Sequence, residues 1–318
     1  MPMIQGLALN AVQVAFVMAA APLFRGVLNR FEERLQGRLG PSIWQPYFDL
    51  RKLFSKDEVV PEDSTWIFRF APYIYFVAPL LVTMLIPALT NFPLFWAFVG
   101  DMVAAGFILG LGGFFLTLAA IDGGNPYGPM GTSRTRMVSS LVEPIFMIVF
   151  FSVSFAANST IPYVVQAHWM ASTVALVSPT HLLIMAAFVM IILAETGRIP
   201  VDNPSGHFEL AMIDESKTLE FSGRSAALVK WGGHIKLMVL SLVLLNVLVT
   251  PWGLAPSPAA GAVALAVLAV SLKLVAFLAV VAAIETSLAK LRLFRIENFL
   301  GLAFVVAVLA MMVQPFHL

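Results

Sequence analysis

Eight long apolar stretches alternate along the chain with polar connections. Each stretch has about 20 residues, the length that an α-helix needs to cross the hydrocarbon core of a bilayer. The pattern therefore predicts an all-α, polytopic membrane protein of about eight transmembrane helices. The predicted spans are Ile4–Phe24, Ile67–Leu89, Ala97–Ala120, Met137–Ala157, Leu176–Thr196, Trp231–Thr250, Gly261–Ile284 and Phe299 to the C-terminus.

The distribution of basic residues gives an independent test of this count, because Lys and Arg accumulate in the connections that stay in the cytoplasm. Taken in order, the seven connections carry 8, 0, 2, 0, 4, 0 and 3 basic residues. One missed or additional span would destroy this alternation. The distribution therefore predicts four cytoplasmic connections, with both termini outside.

Two of the cytoplasmic connections are long, residues 25–66 and residues 197–230. In the first, Trp44–Phe54 places large apolar side chains near one face of a helix and interrupts the other face with charges. A short amphipathic helix on the membrane surface and an ordinary loop helix packed on protein both fit this pattern. The chain has no internal repeat and no linker, which predicts a single integral membrane domain over residues 1–318.

The composition agrees with a membrane protein and limits its chemistry. Charged residues make up 12% of the chain, about half of their share in a soluble domain. The net charge of +1 gives no reason to expect nucleic acid as a partner. Because the chain has no cysteine and no closely spaced histidine pair, we expect any metal or redox cofactor to lie on a partner.

Five ionisable residues fall inside the predicted spans, where a charge is costly and calls for a partner or a function. Asp101, Glu195 and Lys236 lie near span ends, where water can reach them, and we expect Asp101 to be structural. Glu143 and Lys273 lie deeper. They fit either a structural ion pair within the bundle or part of a pathway for protons or other ions.

The connection after Glu195 has the highest density of polar chemistry in the chain. Clustered carboxylates raise and couple each other's pKa values, which suits proton transfer, but a solvated loop can have the same composition. Charge counts alone leave both interpretations open. The candidate residues are Glu195, Arg198, Asp202, His207, Glu209, Asp214, Glu215 and Glu220.

Several motifs, in order, resemble the H subunit of bacterial complex I, which is the mitochondrial NADH dehydrogenase subunit one. The resemblance covers nearly the whole chain, and the set of motifs is more specific than any one of them. They are Arg38-Leu-Gly-Pro41, the segment Gln45–Phe54, Phe70-Ala-Pro72, Glu195-Thr-Gly-Arg-Ile-Pro-Val-Asp202, Glu209-Leu and Glu220-Phe-Ser-Gly223.

Two segments favour one branch of that family, the energy-converting [NiFe] hydrogenases. Complex I members usually have an acidic run after the Pro-Phe-Asp motif, whereas this chain has Ser205-Gly-His-Phe208 there. Ile284–Phe294 is similar to the run after the seventh helix in membrane subunits of the formate hydrogenlyase, hydrogenase-4 and carbon monoxide-induced types. The quinone-site-forming subunit of a complex I-like oxidoreductase is the alternative. A stand-alone secondary transporter is a third reading, but the chain lacks its inverted repeats.

The resemblance implies a membrane subunit without a redox centre that couples electron transfer in a peripheral arm to translocation of protons or sodium. Its expected location is a bacterial or archaeal cytoplasmic membrane. The implied partners are the [NiFe] large and small subunits, iron–sulfur subunits and antiporter-like membrane subunits, with nickel–iron and iron–sulfur clusters on those partners. The implied ion-coupling residues are Glu143, Glu195, Asp202, Glu209, Glu220 and Lys273, and the implied arm-docking or loop residues are Arg38, Asp49, Arg198 and His207.

Overall fold

The computed structural model describes residues 3–97, 100–171, 176–202 and 213–313. Within these ranges the chain forms ten α-helices and no β-sheet. The helices are α1 (Met3–Leu35), α2 (Gln45–Phe54), α3 (Trp66–Leu85), α4 (Met102–Asp122), α5 (Tyr127–Ala157), α6 (Pro162–Ala171), α7 (Pro179–Glu195), α8 (Gly223–Leu242, continued by the π-helical segment Val243–Val249), α9 (Ala260–Ser287) and α10 (Leu293–Val313).

The long apolar helices correspond to the predicted spans. Seven described helices are long and apolar enough to cross a membrane, namely α1, α3, α4, α5, α8, α9 and α10. The remaining predicted span corresponds to α7, which is apolar and 17 residues long. A helix of that length reaches about 26 Å, which is at the short end of the range for a transmembrane helix. The prediction of a polytopic, all-α membrane protein is confirmed.

The connections gather at two ends of the bundle. At one end, the backbone N–H and hydroxyl of Thr65 donate hydrogen bonds of 2.7 and 2.9 Å to Asp122. At the other end, the backbone N–H of Ala255 donates to the carbonyl of Leu89 at 2.8 Å. We call the first end the basic side and the second the opposite side. The described residues of connections 36–65, 123–126, 196–222 and 288–292 form the basic side, and those of 86–101, 158–178 and 250–259 form the opposite side.

Helix α8 is the centre of the bundle. Its most apolar window is 83% buried, compared with 28% to 50% for the other six long helices. It packs against α1 and α3, while α1 also packs against α9, and α10 packs against α5 and α7. Gly232 allows α8 to approach α3 closely, since a Cβ there would lie 3.0 Å from the ring of Tyr75. This packing places Lys236, one turn further along α8, inside the bundle.

Several helix ends differ from the predicted span ends. Helix α1 continues past Phe24 to Leu35, and α5 begins at Tyr127 rather than Met137. Apolar patterning ends where the membrane ends, but a helix continues as long as its polar turns find protein to pack on. Here α2 lies on the extension of α1. The two long connections are correspondingly shorter than residues 25–66 and 197–230, and the predicted loop between α5 and α7 contains the short helix α6.

Asp101 lies outside a span, which corrects its predicted placement. The predicted span began at Ala97, but α4 begins at Met102, and Asp101 is its N-cap. Its Oδ1 accepts a hydrogen bond from the backbone N–H of Ala104 at 2.5 Å. A carboxylate at this position satisfies an amide that has no partner within the helix, so Asp101 has the structural role that we expected.

Helix α2 forms where the amphipathic pattern predicted it. It packs on α1 and α8 and buries Pro46 and Leu50. Trp44 and Phe48 remain 56% and 57% exposed on the surface of the bundle. The helix therefore packs on protein with one part of its apolar surface and leaves another part free, as a helix at a membrane surface does.

Candidate ion-coupling site

A polar chamber lies at the basic side, beside the central helix α8. Its volume is about 370 Å³. Glu195 and Asp202, two of the predicted coupling residues, both line it, as does the predicted docking residue Asp49. Its other ionisable lining residues are Arg25, Tyr75, Asp214, Glu215, Lys217, Lys230, His234 and Lys236.

The innermost ion pair of the chamber joins α7 to α8. Nζ of Lys236 lies 2.5 Å from Oε2 of Glu195, and the two side chains are only 11% and 20% exposed. Removing one member of such a pair would leave a buried charge without a partner, which is strongly unfavourable. The sequence identified both residues as charges near span ends, and the structure shows that each is the other's partner.

Asp202 connects the loop after α7 to the segment before α10. Its side chain is almost fully buried, and Oδ1 accepts a hydrogen bond of 2.7 Å from Nζ of Lys290. Its Oδ2 accepts from the backbone N–H groups of Ile213 and Asp214 at 3.2 and 2.9 Å. Charge-assisted hydrogen bonds of this kind are among the stronger polar contacts in proteins. Asp202 therefore joins the beginning of the loop to its later part at residues 213 and 214, and joins both to the connection between α9 and α10.

A second ion pair, Asp214 with Lys217, lies where the loop returns to the bundle. The two residues are joined by a hydrogen bond across the 3-10 turn Glu215–Thr218. Burial alone would raise the pKa of Asp214, but the charge of Lys217 and its hydrogen bond outweigh burial and hold that pKa below its ordinary value. Burial alone would lower the pKa of Lys217, but the charge of Asp214 reverses the direction and raises it. Both groups therefore stay charged.

A narrow passage of about 40 Å³, a separate cavity beside the chamber, reaches Glu143 in the middle of α5. It shares Glu195, Asp202 and Lys236 with the chamber and adds Arg136 and Glu143 to the lining. Because one water molecule needs a cavity of roughly 10–15 Å³, the passage has room for a few of them. The structure thus brings the predicted residues Glu143, Glu195 and Asp202 to one continuous surface.

An apolar cleft between α4 and α5 shares four charged lining residues with the passage, namely Arg136, Glu143, Glu195 and Lys236. The cleft has a volume of about 440 Å³ and is lined mainly by apolar side chains, including Phe107, Phe114 and Met147. The side chain of Glu143 is 50% exposed, and its Oε1 lies 3.9 Å from Nη2 of Arg136. Glu143 therefore stands between a polar passage and an apolar surface.

Lys273 does not join this site. Its Nζ donates to the carbonyl of Thr250 at 2.6 Å and to the carbonyl of Trp252. These carbonyls lie at the end of α8 on the opposite side, where a cation is favourably placed by the helix dipole. The structural alternative for the deep charges, an ion pair of Lys273 with Glu143, is therefore wrong, because each has a different partner.

Of the remaining predicted coupling and docking residues of this loop, Glu220 does not line the chamber. Glu220 accepts a hydrogen bond from Nδ2 of Asn125 and so ties the loop to the connection between α4 and α5. His207 and Glu209 lie outside the described residues.

The two predicted docking residues of the first long connection lie on the surface of the basic side. Arg38 is 72% exposed at its side chain and lies 3.7 Å from Glu33. Asp49 accepts a hydrogen bond of 3.0 Å from Gln45 on the exposed part of α2. Such exposed pairs contribute little to stability, so these side chains are available for contacts with another protein.

Arg198 is fully buried beneath the loop. Its Nη1 donates to Oε1 of Glu32 at 2.7 Å and to the carboxylate of Glu285 at 3.0 and 3.2 Å. These contacts hold the loop between the ends of α1 and α9. Since none of its side chain is exposed, Arg198 acts on the surface of the basic side only through the position of the loop.

Sequence reasoning did not assign roles to several residues of the site. Arg136 comes just before the predicted span Met137–Ala157, and Glu32 comes after the predicted end of the first span at Phe24. The sequence therefore predicts connections at both positions, whereas the structure has helix there. A search for helical periodicity past the apolar stretches would have found both extensions. The pair Asp214 and Lys217 has the spacing of three that joins side chains on a helical turn, which is a weak signal by itself.

Comparison with known proteins identifies the family of the chain. Residues 7–315 match the family model described as NADH dehydrogenase. The chain belongs to this family. It is 31% identical to formate hydrogenlyase subunit 4 of Escherichia coli (strain K12) over 89% of this chain and 90% of that protein. It is 30% identical to hydrogenase-4 component C of the same organism over 94% and 92%.

More distant similarities also extend over most of the chain. An NADH-quinone oxidoreductase H-type chain of Syntrophobacter fumaroxidans (strain DSM 10017 / MPOB) is 26% identical over 72% of each protein. A chain in the structure of the membrane-bound sulfane sulfur reductase, an archaeal respiratory membrane complex, superposes with a TM-score of 0.81. That superposition covers 97% of this chain and 98% of the other at 18% identity, which establishes a shared fold.

The described residues of this chain offer no evident metal site. Among them, no three His, Asp or Glu side chains are grouped so that they could hold a metal ion. Within the chamber, Glu195 pairs with Lys236 and Asp214 pairs with Lys217.

Proposed function

We propose that this chain is the membrane subunit of an energy-converting hydrogenase-like complex, in which it couples electron transfer in a peripheral arm to translocation of an ion across the membrane. The two relatives at 30% and 31% identity carry the names of hydrogenase and formate hydrogenlyase components. They match the chain better than the NADH-quinone oxidoreductase subunits do, which are 26% and 28% identical.

The observation that carries the coupling role is the continuous lining from the basic side to Glu143. A polar chamber lies at the loop after α7, and a passage with room for water shares Glu195, Asp202 and Lys236 with it and reaches an acid in the middle of a transmembrane helix. Carboxylates that are joined by water exchange protons readily, and a charge that shifts in the chamber changes the proton affinity of its neighbours.

In this proposal, the loop after α7 receives the signal from the arm. Asp202, Asp214 and Lys217 hold the loop on the bundle, while Glu195 and Lys236 pass the change in charge or position towards Glu143. The nickel–iron and iron–sulfur clusters belong to hydrogenase and iron–sulfur subunits of the arm. Antiporter-like membrane subunits continue the ion translocation at the Glu143 end of this route. The translocated ion is a proton, with sodium as the alternative.

We further propose that the basic side faces the cytoplasm. The connections that gather there carry most of the Lys and Arg residues, as the positive-inside rule requires. The chamber then opens towards the compartment in which the arm is assembled. Arg38 and Asp49, exposed on the same side, are the side chains that we assign to docking of the arm.

Purification of the intact complex tests this function. An affinity tag on the chain should recover soluble and membrane subunits together with nickel and iron in the purified material. A tag on an unrelated membrane protein of the same cells is the control. Iron with a bound quinone and no nickel would favour the quinone-oxidoreductase alternative. Recovery of the chain alone, with ion transport by the purified chain, would favour a secondary transporter.

A further inference from the structure

A cluster of three charged groups outside the chamber lies where α1, α9 and the loop after α7 meet. Arg198 stands at its centre, between the carboxylates of Glu32 and Glu285. The side chains are 0%, 16% and 4% exposed, so bulk water hardly reaches the cluster. With every group ionised, two negative charges would share one positive charge in a poorly hydrated site.

The geometry makes two full negative charges in this cluster unfavourable. Both carboxylates accept a hydrogen bond from the same nitrogen, Nη1 of Arg198, so they are held close to each other. The Nε and Nη2 atoms of Arg198 have no hydrogen-bond partner among the described residues, so the carboxylates receive their hydrogen bonds from Arg198 through Nη1 alone, and its single positive charge offsets only one of the two negative charges. Two carboxylates that bind one nitrogen lie close together. Like charges at close range strongly resist joint ionisation, which favours a single proton held between the two groups.

The other charged groups near the cluster do not compensate a second negative charge on the two carboxylates. Arg25 and Glu33, both on α1, are the further charged groups that act on Glu32, and Arg25 also acts on Glu285. Their charges are opposite and offset each other at Glu32. From the loop, the backbone of Ile199 and the side chain of Arg198 contact Glu285.

We propose that Glu32 and Glu285 form a carboxylic acid–carboxylate pair that holds one proton against Arg198, and that this proton is a second titratable site beneath the coupling loop. The cluster is mechanically tied to the loop. The backbone N–H of Leu291, just past α9, donates to the carbonyl of Pro200 at 2.9 Å, and Lys290 binds Asp202. Loss of the proton adds a negative charge next to Arg198 and a second like charge next to the first, so it changes the contacts by which the cluster holds the loop.

The role of this proton rests on the proposed coupling function, but its existence does not, and infrared spectroscopy of the full chain in lipid tests existence directly. At neutral pH, the unaltered protein should show the carbonyl stretch of a buried carboxylic acid that exchanges slowly with heavy water. Glu32→Gln and Glu285→Gln should each abolish this band. Glu33→Gln, on the same helix and outside the hydrogen-bonded cluster, should leave it unchanged.

Each result of this experiment supports the pair or overturns it. A band that survives in both variants belongs to another acid, and an unaltered protein without any such band has both glutamates ionised; either result overturns the proposal. Should a glutamine variant fail to fold, Glu32→Asp and Glu285→Asp keep a carboxyl group at each position; each should shift or abolish the band, and a band unchanged in both would overturn the pair. A band behaving as expected, with ion translocation that does not need Glu143, would support the pair and refute the proposed function.

Discussion

The two sides of the bundle hold their connections together by different chemistry. On the basic side, buried ion pairs join distant segments, as between Arg198 and Glu285 or between Asp202 and Lys290. On the opposite side, neutral side chains bind backbone. Nε2 of Gln13, on α1, donates to the carbonyls of Thr83 and Ile86 at 2.6 and 3.0 Å.

Other contacts of the opposite side repeat this neutral pattern. Nδ2 of Asn246 donates to the carbonyls of Pro87 and Ala88, each at 3.1 Å, and Nε2 of Gln166 donates to the carbonyl of Pro251 at 2.9 Å. These amides satisfy backbone groups where α3 and α8 end irregularly inside the bundle, as buried polar groups require. These amides therefore form a brace that does not titrate, although the charged Lys273 and Asp101 lie on the same side. On the basic side, the buried ion pairs join distant segments through groups whose charge can change.

The largest effect on stability is expected where the ionic contacts are most buried. Arg198→Met removes the cation between Glu32 and Glu285 and should lower the free energy of unfolding by about 3–5 kcal/mol, the usual result when one member of a buried ion pair is lost. Thermal unfolding of the purified protein in detergent measures this. The matched control is Arg38→Met, which removes an exposed arginine and should change stability by about 1 kcal/mol or less. Equal effects of the two variants would contradict the ionic description of the basic side.

The neutral brace should give the next largest effect, without any loss of coupling. Gln13→Leu removes its two donated bonds and the one it accepts from the backbone N–H of Leu89. Leaving these buried groups unsatisfied should cost about 2–3 kcal/mol. Gln5→Leu, at an exposed position of the same helix, is the control and should be nearly neutral. If folded Gln13→Leu protein lost ion translocation, the contrast between the two sides would be wrong.

Sequence patterning predicted most of the fold, because the membrane imposes one rule on every span. The apolar lengths gave the spans, and the basic residues gave their alternation. The helix extensions at Leu35 and Tyr127 could not be predicted in the same way, because polar turns outside the membrane depend on tertiary packing. Helix α6 was not predicted either, because its ten residues are too few to form a span and apolar length was the only criterion.

The candidate site could be predicted in part. Glu143, Glu195 and Asp202 were chosen from costly charges and from motifs, and the structure places them on one surface. The partners Lys236 and Lys290 were not predicted, because they are far in the chain from Glu195 and Asp202. Arg136 lies on the same helix as Glu143, but outside the predicted span. Lys273 was chosen by the same rule of costly charges, but it binds carbonyls at a helix end on the opposite side. A costly charge indicates that a partner exists without indicating which one.

A smaller effect is expected from Asp202, and it should show in assembly. Asp202→Ala removes the acceptor for Lys290 and for two backbone N–H groups, which should cost about 1–2 kcal/mol and loosen the loop. We expect reduced recovery of arm subunits when the tagged chain is purified. Asp202→Asn keeps an acceptor oxygen for the backbone and should recover more of the arm than Asp202→Ala. Full recovery with Asp202→Ala would contradict the role of the loop in holding the arm.

The smallest effect on stability should come from Asp214→Asn and should depend on pH. Because the folded-state pKa of Asp214 is lowered, its contribution is present above the pKa of the unfolded chain and is lost as pH falls through the folded value. Because the pKa of Lys217 is raised, its contribution is complete below its unfolded pKa and is lost as pH rises through the folded value. The difference in unfolding temperature between the two proteins should therefore be largest near neutral pH and decrease in acid and in alkali. A difference that does not vary with pH would contradict this pairing.

The central claim, that charge moves from the chamber to Glu143, is tested most directly by ion translocation in membrane vesicles that contain the fully assembled complex with Glu143→Gln. The substitution keeps the shape of the side chain and removes its proton site, so assembly and stability should stay close to those of the unaltered protein. Glu62→Gln, at an exposed position of the basic side, is the matched control. We predict that Glu143→Gln abolishes ion uptake driven by hydrogen turnover, while Glu62→Gln retains it. Normal ion uptake by an assembled Glu143→Gln complex would contradict the account.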